Sequence, residues 1–196
     1  MPNPLVEALQ KQGFLVLDGG FGTGLERRGK KLQTRLWSAA LARTDPGEIV
    51  RLHRSFLEAG ADVIIASSYQ ASIDGFCSEF GCTPEEGLEL LKRTVALAVE
   101  ARDTFWKECG SEDRVRPLVA ASVGCYGGYL AGGQEFTADY GKPHLSLSAL
   151  CEPQSTFRRG EAERVMAGTV ALAAAGCAGA LRGYRLARAG DSALQG

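Results

Sequence analysis

Residues 45–70 read DPGEIVRLHRSFLEAGADVIIASSYQ, and this stretch decides the fold. Asp45 is a natural helix N-cap, Pro46 suits the first helical position, and Glu48 stands at the third. Ile49, Leu52 and Phe56 then fall on one helical face, and Gly60 ends the helix. The apolar run 62–66 (DVIIA) follows at once and reads as a strand. It closes on Ser67, Ser68, Tyr69 and Gln70.

The pattern repeats on both sides. Upstream, the run 14–17 (FLVL) has no polar alternation, which predicts a strand covered on both faces. It ends in Asp18-Gly19-Gly20, and FGTGLERRG then turns into a short helix. Downstream, Thr83-Pro84-Glu85-Glu86 is a second helix start, continued on one face by Leu88, Leu91, Val95 and Ala98 as far as Trp106. A charged link over 111–116 leads to a third strand over 117–121, which ends in Ser122-Val123-Gly124. Strand, helix, strand, helix, strand implies parallel strands with helices outside, because parallel neighbours need a long crossover. Ligands of such folds gather at the C-terminal strand ends. Position alone therefore selects Asp18, the group 67–70 and Ser122.

Past residue 140 the texture changes. The segment 161–180 holds eight alanines and is helical by propensity, and no fourth strand is evident there. Residues 1–150 carry 16 basic and 19 acidic side chains, whereas 151–196 carry 6 and 4. We therefore expect one ordered unit over 1–140 and a divergent, partly helical or disordered tail over 141–196.

Composition narrows the function classes. The chain has 196 residues, 45% apolar and 23% charged, which is ordinary for a globular protein with one core. Its 22 basic against 23 acidic side chains give no basic footprint for nucleic acid. The uncharged run 165–181 is mostly Ala and Gly and too short to predict a membrane span. The opening MPNPLVEALQKQG lacks a secretory pattern, so reduced cysteines and a cytoplasmic location are expected. Two histidines exclude a His-rich metal site. Of the six cysteines, Cys77 and Cys82 lie close together in a loop-like stretch, with no second pair to complete a zinc knuckle.

The glycine cluster GGFGTG does not make a dinucleotide fingerprint, since the last glycine of GxGxxG would fall on Leu25 or Arg27. The stretch 24–31 (GLERRGKK) has the glycine and lysine of a phosphate loop, but Lys31 replaces the hydroxyl that binds magnesium. Asp18 is either a carboxylate capping its own turn or a fixed anion for a ligand's ammonium group. Gly19 and Gly20 leave room for close backbone approach. His53, beside Leu52 and Phe56, reads as a packing residue. Ser67, Ser68, Tyr69 and Gln70 offer hydroxyl and amide groups, but no neighbouring base marks a serine nucleophile. No catalytic residue and no metal ligand is identified.

These pieces stand in a familiar order. LVLDGGFGTGLERRG, LWSA, HRSFLEAGADVIIASSYQAS and ASVGCYGGYLAGGQEFTADY together resemble the homocysteine S-methyltransferase family, most closely its S-methylmethionine-using branch, over residues 5–140. The resemblance implies a (β/α)8 TIM barrel, here incomplete: about three βα units followed by the Ala/Gly-rich tail. It implies methyl transfer from S-methylmethionine, or S-adenosylmethionine, to homocysteine, giving methionine. It places Asp18 at the homocysteine amino group with Gly19 and Gly20 beside it, and Tyr69, Ser68 and Gln70 near the substrates. Gly124 and Tyr126 match the loop after the third strand, with Cys125 where a proline is common. The family's Zn(2+) is held by cysteines late in the chain, including a Gly-Gly-Cys-Cys motif. That motif is absent here, and neither Cys177 nor the Cys151-Glu152-Pro153 segment replaces it. The implied partners are homocysteine and a sulfonium methyl donor. Open sheet edges would further imply self-association or pairing with a full-length homologue, so a weak or inactive form and a non-catalytic interaction protein are both expected alternatives, as is an unrelated small α/β enzyme.

Overall fold

The computed structural model describes residues 4–124, 126–137, 139 and 170–173. Three strands, β1 (Val63–Ile65), β2 (Leu118–Val123) and β3 (Val170–Ala173), form a parallel sheet in the order β1-β2-β3. Val63 pairs with Leu118 and Ala120 with Val170, which fixes both registers. Leu17 adds an isolated parallel bridge to Val63 on the other side of β1.

The helices precede and link these strands: α1 (Pro4–Gln12), α2 (Phe21–Arg27), a 3₁₀ turn at Trp37–Ala40 running into α3 (Leu41–Thr44), α4 (Pro46–Glu58), α5 (Ile73–Phe80) and α6 (Pro84–Cys109). Two short helices, α7 (Tyr126–Leu130) and α8 (Gln134–Thr137), follow β2. Both helix starts read from the sequence are present. Asp45 Oδ1 accepts from the Glu48 N–H, and Thr83 with Glu86 completes a reciprocal capping box.

Helices α4 and α6 pack on each other and on one face of the sheet. Leu57 and Ala61 meet Ile64 and Ala66 of the β1 segment, Val95, Ala98 and Phe105 of α6, and Val119 and Ala121 of β2. Alternate strand residues thus enter one apolar layer. Strands adjacent in chain order, with α4 and α6 on one face, make a singly wound α/β wall among the described residues.

Three expectations need correction. The run 14–17 is not covered on both faces. Val16 O accepts from the Asp62 and Val63 N–H groups, but Phe14, Val16 and Leu17 are 66%, 44% and 52% exposed, because it has a neighbour on one side only among the described residues. The Ala-rich segment is not helical throughout: 170–173 is a strand, since pairing with Ala120–Val123 outweighs alanine's helical preference. Cys77 lies in helix α5 rather than a loop. The rest of the tail, with His144, Cys151 and Cys177, lies outside the described residues, as does Cys125.

Asp62 ties the lower end of this wall together: its Oδ2 accepts from the Val16 N–H and from Gln12 Nε2, both at 2.9 Å. Arg114 donates to the Leu57 and Ala61 carbonyls and lies over the Phe105 ring.

Candidate functional site at the strand ends

Parallel pairing brings the C-terminal ends of the strands to one edge, and the polar groups singled out in the sequence lie along it. Asp18 follows the Leu17 bridge. Its N–H donates to Val63 O, and its Oδ2 accepts from the Ile65 N–H at 2.8 Å. One carboxylate oxygen is thus fixed to β1. Burial pushes the Asp18 carboxyl up to about 6, against the lowering effect of the N–H groups of Ile65 and of Asp18 itself. The group is therefore ionised at neutral pH and poised near the bottom of that range.

Gly19 and Gly20 are exposed beside it, and Gly20 precedes α2 without a side-chain cap. Two residues a turn apart on α4 seat this loop. Phe56 lies 3.1 Å from where a Gly19 Cβ would stand, and the His53 ring packs at a tilt of 33° against Phe21, with ring centroids 4.4 Å apart. His53 is fully enclosed, with neither ring nitrogen partnered, so desolvation lowers its pKa to about 3. It is a neutral packing residue.

The four residues past β1 divide by role. The Ser68 hydroxyl donates to Ser122 O at 2.7 Å and accepts from the Ser122 N–H at 3.1 Å. It locks the exits of β1 and β2 together and is committed to the sheet. Ser67 is 4% exposed, yet its hydroxyl has no partner, and Gln70 Oε1 is also buried and unpartnered. Buried polar atoms without partners are rare in folded proteins, and each calls for a physical explanation. The Tyr69 ring lies against α7, 2.9 Å from where Gly128 would carry a Cβ.

Gln70 also lines a cleft of about 140 Å³ with Arg35, Ser72, Asp74, Ser78 and Tyr129. Arg35 donates to Tyr129 O and lies 5.7 Å above the Tyr129 ring. Arg35 and Tyr129 were not singled out from sequence. They are 94 residues apart in the chain, and no local spacing announces their meeting. Gly124 stands at the exit of β2 and Tyr126 opens α7.

Among the described residues, no three His, Cys, Asp or Glu side chains converge to hold a metal ion. These residues therefore do not make the zinc site that the resemblance implies. No helix among them is long and apolar enough to cross a membrane.

Comparison with known proteins gives a consistent result. The family model for homocysteine S-methyltransferase matches residues 15–171. Homocysteine S-methyltransferase 1 of Brassica oleracea var. italica is 50% identical over 141 residues, covering 70% of this chain and 43% of that protein. Homocysteine S-methyltransferase YbgG of Bacillus subtilis (strain 168) is 40% identical over 139 residues, covering 70% of this chain and 44% of its own length. A crystal structure of the homocysteine methyltransferase MmuM from Escherichia coli, in a metallated form, superposes with a TM-score of 0.74. It is 35% identical and covers 87% of this chain and 57% of that one. The chain spans less than half the length of the two curated relatives.

Proposed function

The chain belongs to the homocysteine S-methyltransferase family, and from that premise we propose that its strand ends form the amino-acid-binding part of a site for methyl transfer to homocysteine. The observation that carries this reading is Asp18. Its carboxylate is half-buried, anchored through one oxygen to the Ile65 N–H and flanked by two exposed glycines. A carboxylate held this way offers a charge-assisted bond to an α-ammonium group. Tyr69 and Gln70 follow β1 at the same end of the sheet, and the unpartnered Gln70 oxygen suits a donor on the ligand.

In the reaction that fits, the homocysteine thiolate attacks the methyl carbon of a sulfonium donor. The new S–CH3 bond forms as the donor's S–CH3 bond breaks, and its electron pair stays on the donor sulfur. The products are methionine and a neutral thioether. S-Methylmethionine is the donor we favour from the branch resemblance. Zinc, which would hold the thiolate, belongs in this reading to the family's longer members. The wall of parallel strands is read as the first units of a (β/α)8 barrel.

Asp18→Asn tests the binding role, because asparagine keeps an oxygen for the Ile65 N–H and removes only the charge. Homocysteine affinity, measured by calorimetry on the full chain, is expected to fall about ten- to a hundredfold, the ~1.5–3 kcal/mol of a hydrogen bond to a charged group. Wild-type affinity should also weaken as pH drops through about 6, where Asp18 takes up its proton, while the variant stays flat. Equal affinities, or no binding by the wild type, would overturn the assignment.

The exposed apolar edge at Phe14, Val16 and Leu17 favours a second reading, in which this chain pairs along that edge with a longer homologue. Unpaired strand edges are templates for another chain. Mixed with a full-length relative, the chain is expected to co-elute in size-exclusion chromatography, and Leu17→Lys is expected to abolish this. Separate elution at micromolar concentrations rules the pairing out.

A further inference from the structure

Helix α5 ends at Gly81, whose left-handed backbone (φ 62°, ψ 31°) lets its N–H donate back to the Cys77 carbonyl at 2.8 Å. A side-chain contact between the residue after the glycine and the last turn of the helix frequently accompanies such an ending. Here Cys82 follows the glycine and Cys77 is the residue whose carbonyl is capped. Cys77 Sγ lies 3.1 Å from where Gly87 of α6 would carry a Cβ, so that glycine leaves space for the thiol. Cys82 packs on the cluster of Phe76, Leu91 and Leu36. Both thiols are free and half-buried: partly shielded, yet open to a small reagent. Burial first, then the neighbouring Cys82 thiol and the carboxylates of Asp74 and Glu85, push the Cys77 thiol up. The remaining described cysteine, Cys109, sits at the far end of α6, about 33 Å from Gly87 at 1.5 Å per residue. It is out of reach.

We propose that Cys77 and Cys82 are a redox pair that closes to a disulfide across the C-terminal cap of α5. The oxidant is a low-molecular-weight disulfide such as oxidised glutathione. One protein thiol loses its proton to solvent and attacks the glutathione disulfide, releasing one glutathione thiolate. The second thiol, deprotonated in turn, attacks the protein sulfur of the mixed disulfide and releases the other. Two protein S–H bonds become one S–S bond, two glutathione molecules leave reduced, and two electrons pass from protein to oxidant. Because Cys77 holds its proton tightly, closure quickens as pH rises. The bond clamps the helix that presents Asp74, Gly75 and Ser78 to the cleft beside Gln70.

The full chain is equilibrated over a series of oxidised-to-reduced glutathione ratios, quenched with acid, alkylated and digested with trypsin. Residues 55–92 form one tryptic peptide that holds both cysteines and no others. Under oxidation this peptide is expected to lose two hydrogens and escape alkylation, and a further cut after Glu79 should leave its halves joined. Cys82→Ser should abolish closure, and Cys109→Ser should leave it unchanged. The proposal is overturned if both thiols alkylate across the whole series. Glutathione adducts without closure, or a link from Cys77 to a different cysteine, overturn it equally.

Discussion

Replacement of His53 by leucine is expected to make the fold resistant to acid, sparing it about 3 kcal/mol near pH 4.5 and approaching about 5 kcal/mol below pH 3, at 1.36 kcal/mol per pKa unit. The effect follows from enclosure. His53 has no exposed surface, packs against the Phe21 ring and has neither nitrogen partnered, so its folded-state pKa falls to about 3 from an ordinary 6.5. A base whose folded pKa is depressed stays neutral in the fold while the unfolded chain takes up a proton. Stability is therefore whole above about pH 6.5 and drains away between 6.5 and 3. Other groups also respond to acid. Asp45, Glu48 and Asp103 sit below their ordinary values and withdraw stability as pH falls through the carboxylate range. Asp18, raised to about 6, works in the opposite direction and is relieved on protonation. All four are common to wild type and variant, so they cancel in the difference. Urea unfolding of both proteins at stepped pH provides the measurement. Curves that run parallel from pH 7.5 to 4 would show that His53 is solvated or partnered in solution. At neutral pH the variant should also gain roughly 1–3 kcal/mol, because leucine leaves no buried polar group unsatisfied.

Parts of this arrangement are legible without coordinates because they rest on local chemistry. Asp45 and Thr83 each cap a helix through a hydrogen bond three residues away, and Pro46 and Pro84 sit just inside, so the starts of α4 and α6 are written in four-residue windows. The strands at β1 and β2 are apolar runs between a helix stop and a polar exit, and parallel pairing then places Asp18, Ser67–Gln70 and Ser122 at one edge. What sequence does not show depends on partners distant in the chain. The run 14–17 looks like a buried strand because its composition is that of one, but burial depends on a second neighbour. Val170–Ala173 is alanine-rich and locally helix-prone, and only the free edge of β2 makes it a strand. The commitment of Ser68 to the sheet depends on the Ser122 backbone, 54 residues on, and the stacking of Arg35 over Tyr129 is likewise invisible to spacing. His53 is an intermediate case: its helical face predicts packing, but nothing local predicts complete enclosure.

Gly124→Ala is expected to destabilise the chain by about 3 kcal/mol, the upper part of the usual cost of overpacking. A Cβ at Gly124 would lie 1.9 Å from the Tyr69 carbonyl oxygen and 3.0 Å from its carbonyl carbon. Both are backbone atoms, which cannot rotate away as a side chain can. Nor can the peptide swing freely, because the preceding Ser68 is bonded through its hydroxyl to both the N–H and the carbonyl of Ser122. Relief must come from parting the exits of β1 and β2 or from turning the Tyr69 peptide, and either change disturbs the polar edge of the sheet. Gly128→Ala supplies the contrast. Its Cβ would meet only the outer part of the Tyr69 ring, at 2.9 to 3.4 Å, which a small ring displacement relieves, so a loss of about 1 kcal/mol is expected there. For a chain of this length, 1 kcal/mol shifts the melting midpoint by about 2–4 °C, so the two variants should differ by roughly 4–8 °C. Equal melting points, or a Gly124→Ala protein as stable as wild type, would mean that the exits of β1 and β2 are not locked as described. If the lock holds, Gly124→Ala should also weaken homocysteine binding more than Gly128→Ala does, because it moves the backbone of Tyr69 rather than the edge of its ring.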